Sequence, residues 1–218
     1  MKTITRRILT QKLGIATGVG LLAPGLAVAA PVTPSQVEGP FHPVGAQKDT
    51  DLDLTLIDGH SEVARGEVIL VKGRVFNVQG EPLVNALVDV WQANDAGRYS
   101  HAKDANTAPL DPNFQGWGLL RTDENGRYAF KTIKPGAYPL SFLGADGKRC
   151  RHIHFKVSQP GYADLITQMY FKGDPLIDQD QEVAKVSPEL RHLLIIDQQT
   201  DADRGLPLFD FDLTLASA

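Results

Sequence analysis

Only one cysteine, Cys150, occurs in the 218 residues, so the chain can form no internal disulfide and has no cysteine behind a leader to carry a lipid anchor. There is no basic run, which argues against nucleic acid or an anionic membrane surface as partner. No repeat with a period of about 20–50 residues appears, which excludes a solenoid or propeller array. The uncharged stretch from Leu13 to Val28 is too short and too rich in Gly and Pro for a good membrane span, and no membrane insertion of the mature chain is expected. A sustained helical period is missing as well. What remains is ordinary globular composition, 42% hydrophobic and 22% charged, in a chain long enough for one domain with a sizeable core.

The formal net charge of −4 hides an asymmetry. Four of the 22 basic residues (Lys2, Arg6, Arg7 and Lys12) fall in the first 29 positions, leaving 18 against 26 acids, a net of −8. That basic start precedes an uncharged stretch, Leu13 to Val28, and Ala27-Val28-Ala29 fits a small-residue cleavage site. Residues 1–29 therefore read as an export signal, and the mature protein is expected to be periplasmic or extracellular. Thr5-Arg6-Arg7-Ile8-Leu9 resembles a twin-arginine signal, although Thr10 and Gln11 depart from its usual positions, and general secretory export stays the alternative. Gly18-Val19-Gly20 is no phosphate loop, since no strand precedes it.

Residues 30–218 read as a single all-β domain. Val68–Phe76, Ala86–Trp91, Leu119–Thr122, Tyr128–Ile133, His152–Val157, Leu165–Phe171 and Leu208–Leu213 are short strands. Turns such as Glu124-Asn125-Gly126 separate them, a pattern that predicts a β-sandwich. A short helix, if one forms, falls within Gln181–Leu194, and residues 30–66 form an extended arm. The loop 97–118 carries Pro109, Pro112 and Gly116, and loops of such length are usually functional.

His152 and His154 stand two apart on a predicted strand, so both imidazoles share one face while Ile153, Phe155 and Val157 point the other way into a core. The plain alternative is a solvated strand face. Two imidazoles alone suit zinc, copper or iron. Tyr99 and Tyr138, each just beyond a turn, shift the choice, because a hard, high-charge ion such as Fe³⁺ favours anionic oxygen. No Asp or Glu is suitably spaced after His152 for a ferrous two-histidine, one-carboxylate site, and 155–162 holds no Glu of the kind a cupin would use. A zinc hydrolase would need a third ligand and a general base, and neither is evident.

Five segments, in order, resemble the intradiol ring-cleavage dioxygenases. They are Glu38-Gly39-Pro40-Phe41; Trp91-Gln92-Ala93-Asn94 leading to Gly97-Arg98-Tyr99-Ser100-His101; Thr132 to Pro139; Arg149 to Phe155; and Thr167-Gln168-Met169-Tyr170-Phe171. The resemblance spans roughly residues 35–215 and is closer to the protocatechuate 3,4-dioxygenase branch, since the chain has no room for the N-terminal helical region of catechol 1,2-dioxygenases. Some motifs are shared with non-catalytic transthyretin-like or carboxypeptidase-regulatory-like sandwich modules, among them Gly80-x-Pro82 and Pro135-Gly136-x-Tyr138. A binding module is therefore the alternative function. The two histidine- and tyrosine-bearing segments around Arg149 and Trp91 lie outside that shared pattern.

The resemblance implies Fe³⁺ held by Tyr99, Tyr138, His152 and His154, with a small aromatic diol and O₂ as reactants. It leaves Tyr128 to packing, although Gly126-Arg127-Tyr128 has the shape of Gly97-Arg98-Tyr99. Ring opening between the two hydroxyl-bearing carbons would give a cis,cis-muconate-type product. Tyr138 would be displaced and take a proton, Arg149 would stabilise developing negative charge, and Gln168 would assist by hydrogen bonding. His42 and His101 flank matched segments and are candidates for supporting roles, whereas His60 and His192 read as exposed. Protocatechuate enzymes usually carry Trp after the Tyr-Pro pair and Trp-Arg-Pro before the histidines. Leu140 and Lys148-Arg149-Cys150 stand there instead, so the pocket wall differs and another substituted catechol is an open substrate. Self-association into a homo-oligomer is open too.

Overall fold

The computed structural model describes residues 29–45, 50–139 and 147–218. The leader expected over residues 1–29 lies outside them apart from Ala29, as does Leu140. Runs rich in Val, Ile, Leu and Phe form two five-stranded sheets and a small ribbon. In β1 (Val68–Asn77) alternate residues turn inward, with Ile69, Val71 and Val75 fully buried, as expected of a strand with one face on a core. β4 (Arg127–Ile133) runs antiparallel along one edge of β1. β11 (Pro207–Asp210) and β12 (Leu213–Leu215) lie parallel to β1 along the other edge, with β10 (Gln199–Thr200) outside β11.

The last strand expected over Leu208–Leu213 is thus two pieces, broken at Phe211 and Asp212. There the Tyr128 hydroxyl donates to the Phe211 carbonyl, and the Arg74 N–H donates to the Asp212 carboxylate at 2.8 Å. Side chains of both kinds satisfy the backbone where the ladder is interrupted.

The second sheet runs β3 (Trp117–Arg121), β2 (Leu87–Trp91), β7 (His152–Ser158), β8 (Leu165–Phe171), β9 (Ile195–Ile196). All its pairs are antiparallel except β8 with β9. Its inner face, including Val88, Val90, Ile153, Phe155 and Val157, shares one core with the first sheet. The Phe155 ring lies 6.0 Å from Tyr128, 6.1 Å from Phe130 and 5.0 Å from Phe211, centre to centre. The expected β-sandwich is present.

β5 (Tyr138–Pro139) and β6 (Lys148–Arg149) form the ribbon and pair Tyr138 with Arg149. The expected helical segment Gln181–Leu194 holds one α turn, α1 (Gln181–Ala184), and a 3-10 stretch, Pro188–Leu193. Pro188 supplies no N–H to continue the α ladder. The expected loop 97–118 is two residues shorter, because β3 begins at Trp117.

The described part of the arm contains no strand, yet it ties both sheets together. Thr33 N–H donates to the Thr214 carbonyl on β12 at 3.1 Å, and Gln36 N–H to the Ile166 carbonyl on β8 at 2.7 Å. Among the described residues no helix is long and apolar enough to cross a membrane.

Candidate active site

The outer face of the second sheet carries the site. Around the end of β2 and the start of β7 both faces are buried, and the outward side chains there include Trp91, His152 and His154, exposed by 1%, 2% and 3%. The solvated-face alternative therefore fails. Strand register explains the grouping: Trp91 pairs with His154, His154 with Gln168, and His152 with Tyr170. Trp91 stacks on the His154 ring at 4.8 Å and 4°. His42 meets Trp91 edge-on at 4.7 Å. It lies 3.0 Å from one Asp89 oxygen, whose mate accepts from Trp117 Nε1 at 2.7 Å. His101 stands nearer the rim, 5.8 Å from Phe41. His60 and His192 are exposed, as expected, and His60 Nδ1 meets Asn113 Oδ1 at 2.8 Å.

Two turns bring the tyrosines over this face. After β2, the Asn94 side chain accepts from the N–H groups of Ala96 and Arg98 at 3.1 and 2.9 Å, which closes the turn leading to Tyr99. Gly136 N–H donates to the Asn94 carbonyl at 2.8 Å and ties in the turn leading to Tyr138. Glycine is required on both sides of this crossing. A Cβ on Gly136 would sit 2.3 Å from the Asp95 carbonyl oxygen, and one on Gly97, at φ +76°, 2.3 Å from that of Ala137. The close approach seats Tyr99 and Tyr138 edge to face at 5.5 Å.

The Tyr99 hydroxyl is 3.4 Å from His152 Nε2, the Tyr138 ring 5.5 Å from that of His152, and the two imidazoles 4.8 Å apart. All four residues expected from the sequence converge, and Phe41 of the arm packs on both tyrosines. Tyr128 stays in the core between the sheets, as expected.

A metal ion fits this cage. His152 Nδ1 lies 2.7 Å from the Cys150 carbonyl, which makes it the donor and leaves Nε2 with its lone pair toward Tyr99. His154 Nδ1 is buried without a hydrogen-bond partner. Burial holds both imidazoles well below their ordinary pKa; at His154 the His152 ring adds to this, and Arg149 adds at both. Both rings are then neutral, the form that ligates. Burial raises both phenols above their ordinary value; Tyr138 adds to the rise at Tyr99, and Arg149 opposes it at each, at Tyr138 through charge and a hydrogen-bonding contact. Ionising two such phenols calls for a strongly charged cation. Among the described residues no group of three or more His, Cys, Asp or Glu could hold a metal, so the tyrosine oxygens are needed.

Arg149 and Gln168 lie beside the cage, both buried. Arg149 Nη2 donates to Gln168 Oε1 at 3.0 Å and to the Tyr170 hydroxyl at 3.1 Å, while Nε and Nη2 reach the two Asp180 oxygens at 2.8 and 3.0 Å. Gln168 Nε2 donates to the Val37 carbonyl at 3.0 Å, and the Tyr170 hydroxyl donates to Gln36 Oε1. The sequence did not single out Asp180, Tyr170, Gln36 or Asp89 for these roles. Asp180 had one local signal, since it caps α1, but nothing local placed it against Arg149. Cys150 is buried, and burial with the Asp180 charge pushes its thiol up, so it stays protonated and unreactive. A cavity of about 650 Å³, lined in part by Phe41, Trp91, Tyr99, Phe114 and Trp117, opens beside Tyr99.

A β-sandwich that gathers two histidines, two phenols and a buried arginine on one covered face carries a donor set suited to a metal ion. A family model described as Dioxygenase matches residues 37–217. The protocatechuate 3,4-dioxygenase beta chain of Burkholderia cepacia is 45% identical over 76% of this chain and 71% of its own length. Catechol 1,2-dioxygenase 2 of Acinetobacter lwoffii is 36% identical over 68% of this chain, which spans only 54% of that relative. The solved structure of 3-chlorocatechol 1,2-dioxygenase from Rhodococcus opacus 1CP superposes with a TM-score of 0.67 at 28% identity, covering 85% of this chain and 73% of that one. The chain belongs to the intradiol ring-cleavage dioxygenases, a family that uses non-haem iron.

Proposed function

We propose that the protein binds one ferric ion through Tyr99, Tyr138, His152 and His154 and opens the ring of a catechol-type diol between its hydroxyl-bearing carbons, with O₂ as co-substrate and a cis,cis-muconate-type diacid as product. The observation that carries this reading is the convergence of two tyrosines and two histidines on one water-excluding face. Iron bound there would supply a Lewis-acid centre that takes both catecholate oxygens and makes the ring reactive toward O₂.

The chain's own groups do the rest. The Tyr138 oxygen, whose ionisation the charge of Arg149 favours, would take a proton from a substrate hydroxyl. The guanidinium sets a fixed positive charge where negative charge develops, an effect worth roughly 3–4 kcal/mol for one well-placed donor. Gln168 holds the guanidinium from β8, and Phe41 and Trp91 keep water from the tyrosine and histidine rings. The relatives named above act, by their names, on protocatechuate and catechols, which supports an ortho-diol aromatic as the substrate class.

Loading the purified protein with iron is expected to give one ferric ion per chain and a red-brown colour from phenolate-to-iron charge transfer. A catechol panel should then consume O₂ and yield muconate-type products. A colourless protein equally content with zinc, or a yellow extradiol semialdehyde, sinks the reading.

Export rests on the leader of residues 1–29, and we propose the twin-arginine route to the periplasm or beyond. Replacing Arg6 and Arg7 with Lys should strand precursor in the cytoplasm. Normal export of that variant rejects this route.

A further inference from the structure

We propose that Asp180 is the positioning residue of the site: it grips one edge of the Arg149 guanidinium so that the other edge faces Tyr138 and the substrate. The inference rests on the ring-cleavage reading above. An arginine offers five N–H groups in a rigid plane, and here those of Nε and Nη2 are taken by protein acceptors. Asp180 takes both at 2.8 and 3.0 Å, and Gln168 and Tyr170 take further bonds from Nη2 at 3.0 and 3.1 Å. Tyr138 is the register partner of Arg149 in the ribbon, and the charge of Arg149 opposes the rise that burial gives its phenol. A planar fork fixed along one edge has its opposite edge fixed too.

Asp180 itself cannot drift. Its side chain is wholly buried, and its oxygens also accept from the N–H groups of Cys150, Glu182 and Val183 at 3.1, 2.9 and 3.3 Å. Burial would raise its pKa, but the bonds and charge of Arg149 outweigh that and keep it ionised. The same carboxylate therefore holds the Cys150 peptide, whose carbonyl orients the His152 ring. A buried ion pair adds little stability over apolar groups of the same volume, so what this one supplies is aim. Gln36 completes the support, accepting from Tyr170 and donating to the Glu182 carbonyl at 3.1 Å.

The test compares iron-loaded wild type and Asp180→Asn on a panel of catechols. An inert wild type rejects the ring-cleavage reading itself, and the inference falls with it. Asparagine keeps the size and an acceptor for α1 but loses the charge and the second acceptor oxygen. Because small misplacements at a reacting centre can cost about 100-fold, kcat should fall roughly 10- to 100-fold, with KM within about threefold and the resting absorption band unmoved. Wild-type kcat, or losses that merely track the folded fraction, overturns the proposal. Should Asp180→Asn fail to fold, Tyr170→Phe decides, since it removes one Arg149 acceptor and no charge. A fall in kcat of about threefold or more at unchanged KM supports positioning, and unchanged kcat rejects it.

Discussion

Tyr138→Phe is expected to fold, bind iron with a shifted colour, and lose nearly all turnover. The ring stays, so packing in the small cluster of Trp91, Ala93, Tyr99 and Tyr138 is kept, and the lost hydroxyl costs about 1–2 kcal/mol. The variant lacks the oxygen proposed to accept a substrate proton, and general-base contributions run about 100- to 10,000-fold. Tyr128→Phe should behave in the opposite way. Its hydroxyl bonds the Phe211 carbonyl in the core, so removing it orphans a buried acceptor at about 1–3 kcal/mol. The melting temperature drops while kcat holds. Paired kcat and melting measurements decide the matter, and a Tyr128→Phe protein that is dead beside an active Tyr138→Phe protein reverses the ligand assignment.

His154→Phe should give a folded protein that does not hold iron. Phenylalanine keeps a ring on Trp91, where the histidine stacks at 4.8 Å, and its extra volume costs about 1–3 kcal/mol in a tight site. Both ring nitrogens are gone. Losing a residue behind a metal ligand typically weakens binding about 10- to 100-fold, and losing a ligand itself should exceed that. Iron stoichiometry after gel filtration, with circular dichroism as the check on folding, measures both halves. Full iron occupancy in this variant removes His154 from the ligand set.

The cage was legible from the sequence because its signals are local. His152 and His154 share a face through period two alone, and the glycines before Tyr99 and Tyr138 mark turns that nothing bulkier could make. Tyr128 could be set aside only by resemblance, since Gly126-Arg127-Tyr128 has the same shape as Gly97-Arg98-Tyr99; the fold then separated them by sending one to the core and the other to the outer face. Strand positions were legible for the same reason, but strand order was not. The parallel pairing of β11 and β12 with β1 joins segments more than 130 residues apart, and no local pattern encodes such a partner. Asp180 was invisible for a related cause. A helix-capping aspartate looks the same whether its second oxygen faces water or, as here, a guanidinium 31 residues away.

The arm has a consequence for how the molecule is made. Among its anchors are Thr33, whose hydroxyl accepts from the Thr214 N–H 181 residues later, and Gln36, bonded to Ile166. The segment synthesised early can therefore be seated only when nearly the last strand exists. Contacts of such long separation close slowly, because loop entropy is lost before they give anything back. Residues 36 and 37 bond to Tyr170 and Gln168, so the wall around Arg149 is among the last parts of the protein to close. A chain halted short of Thr214 would present its histidines and tyrosines on an unfinished, open face.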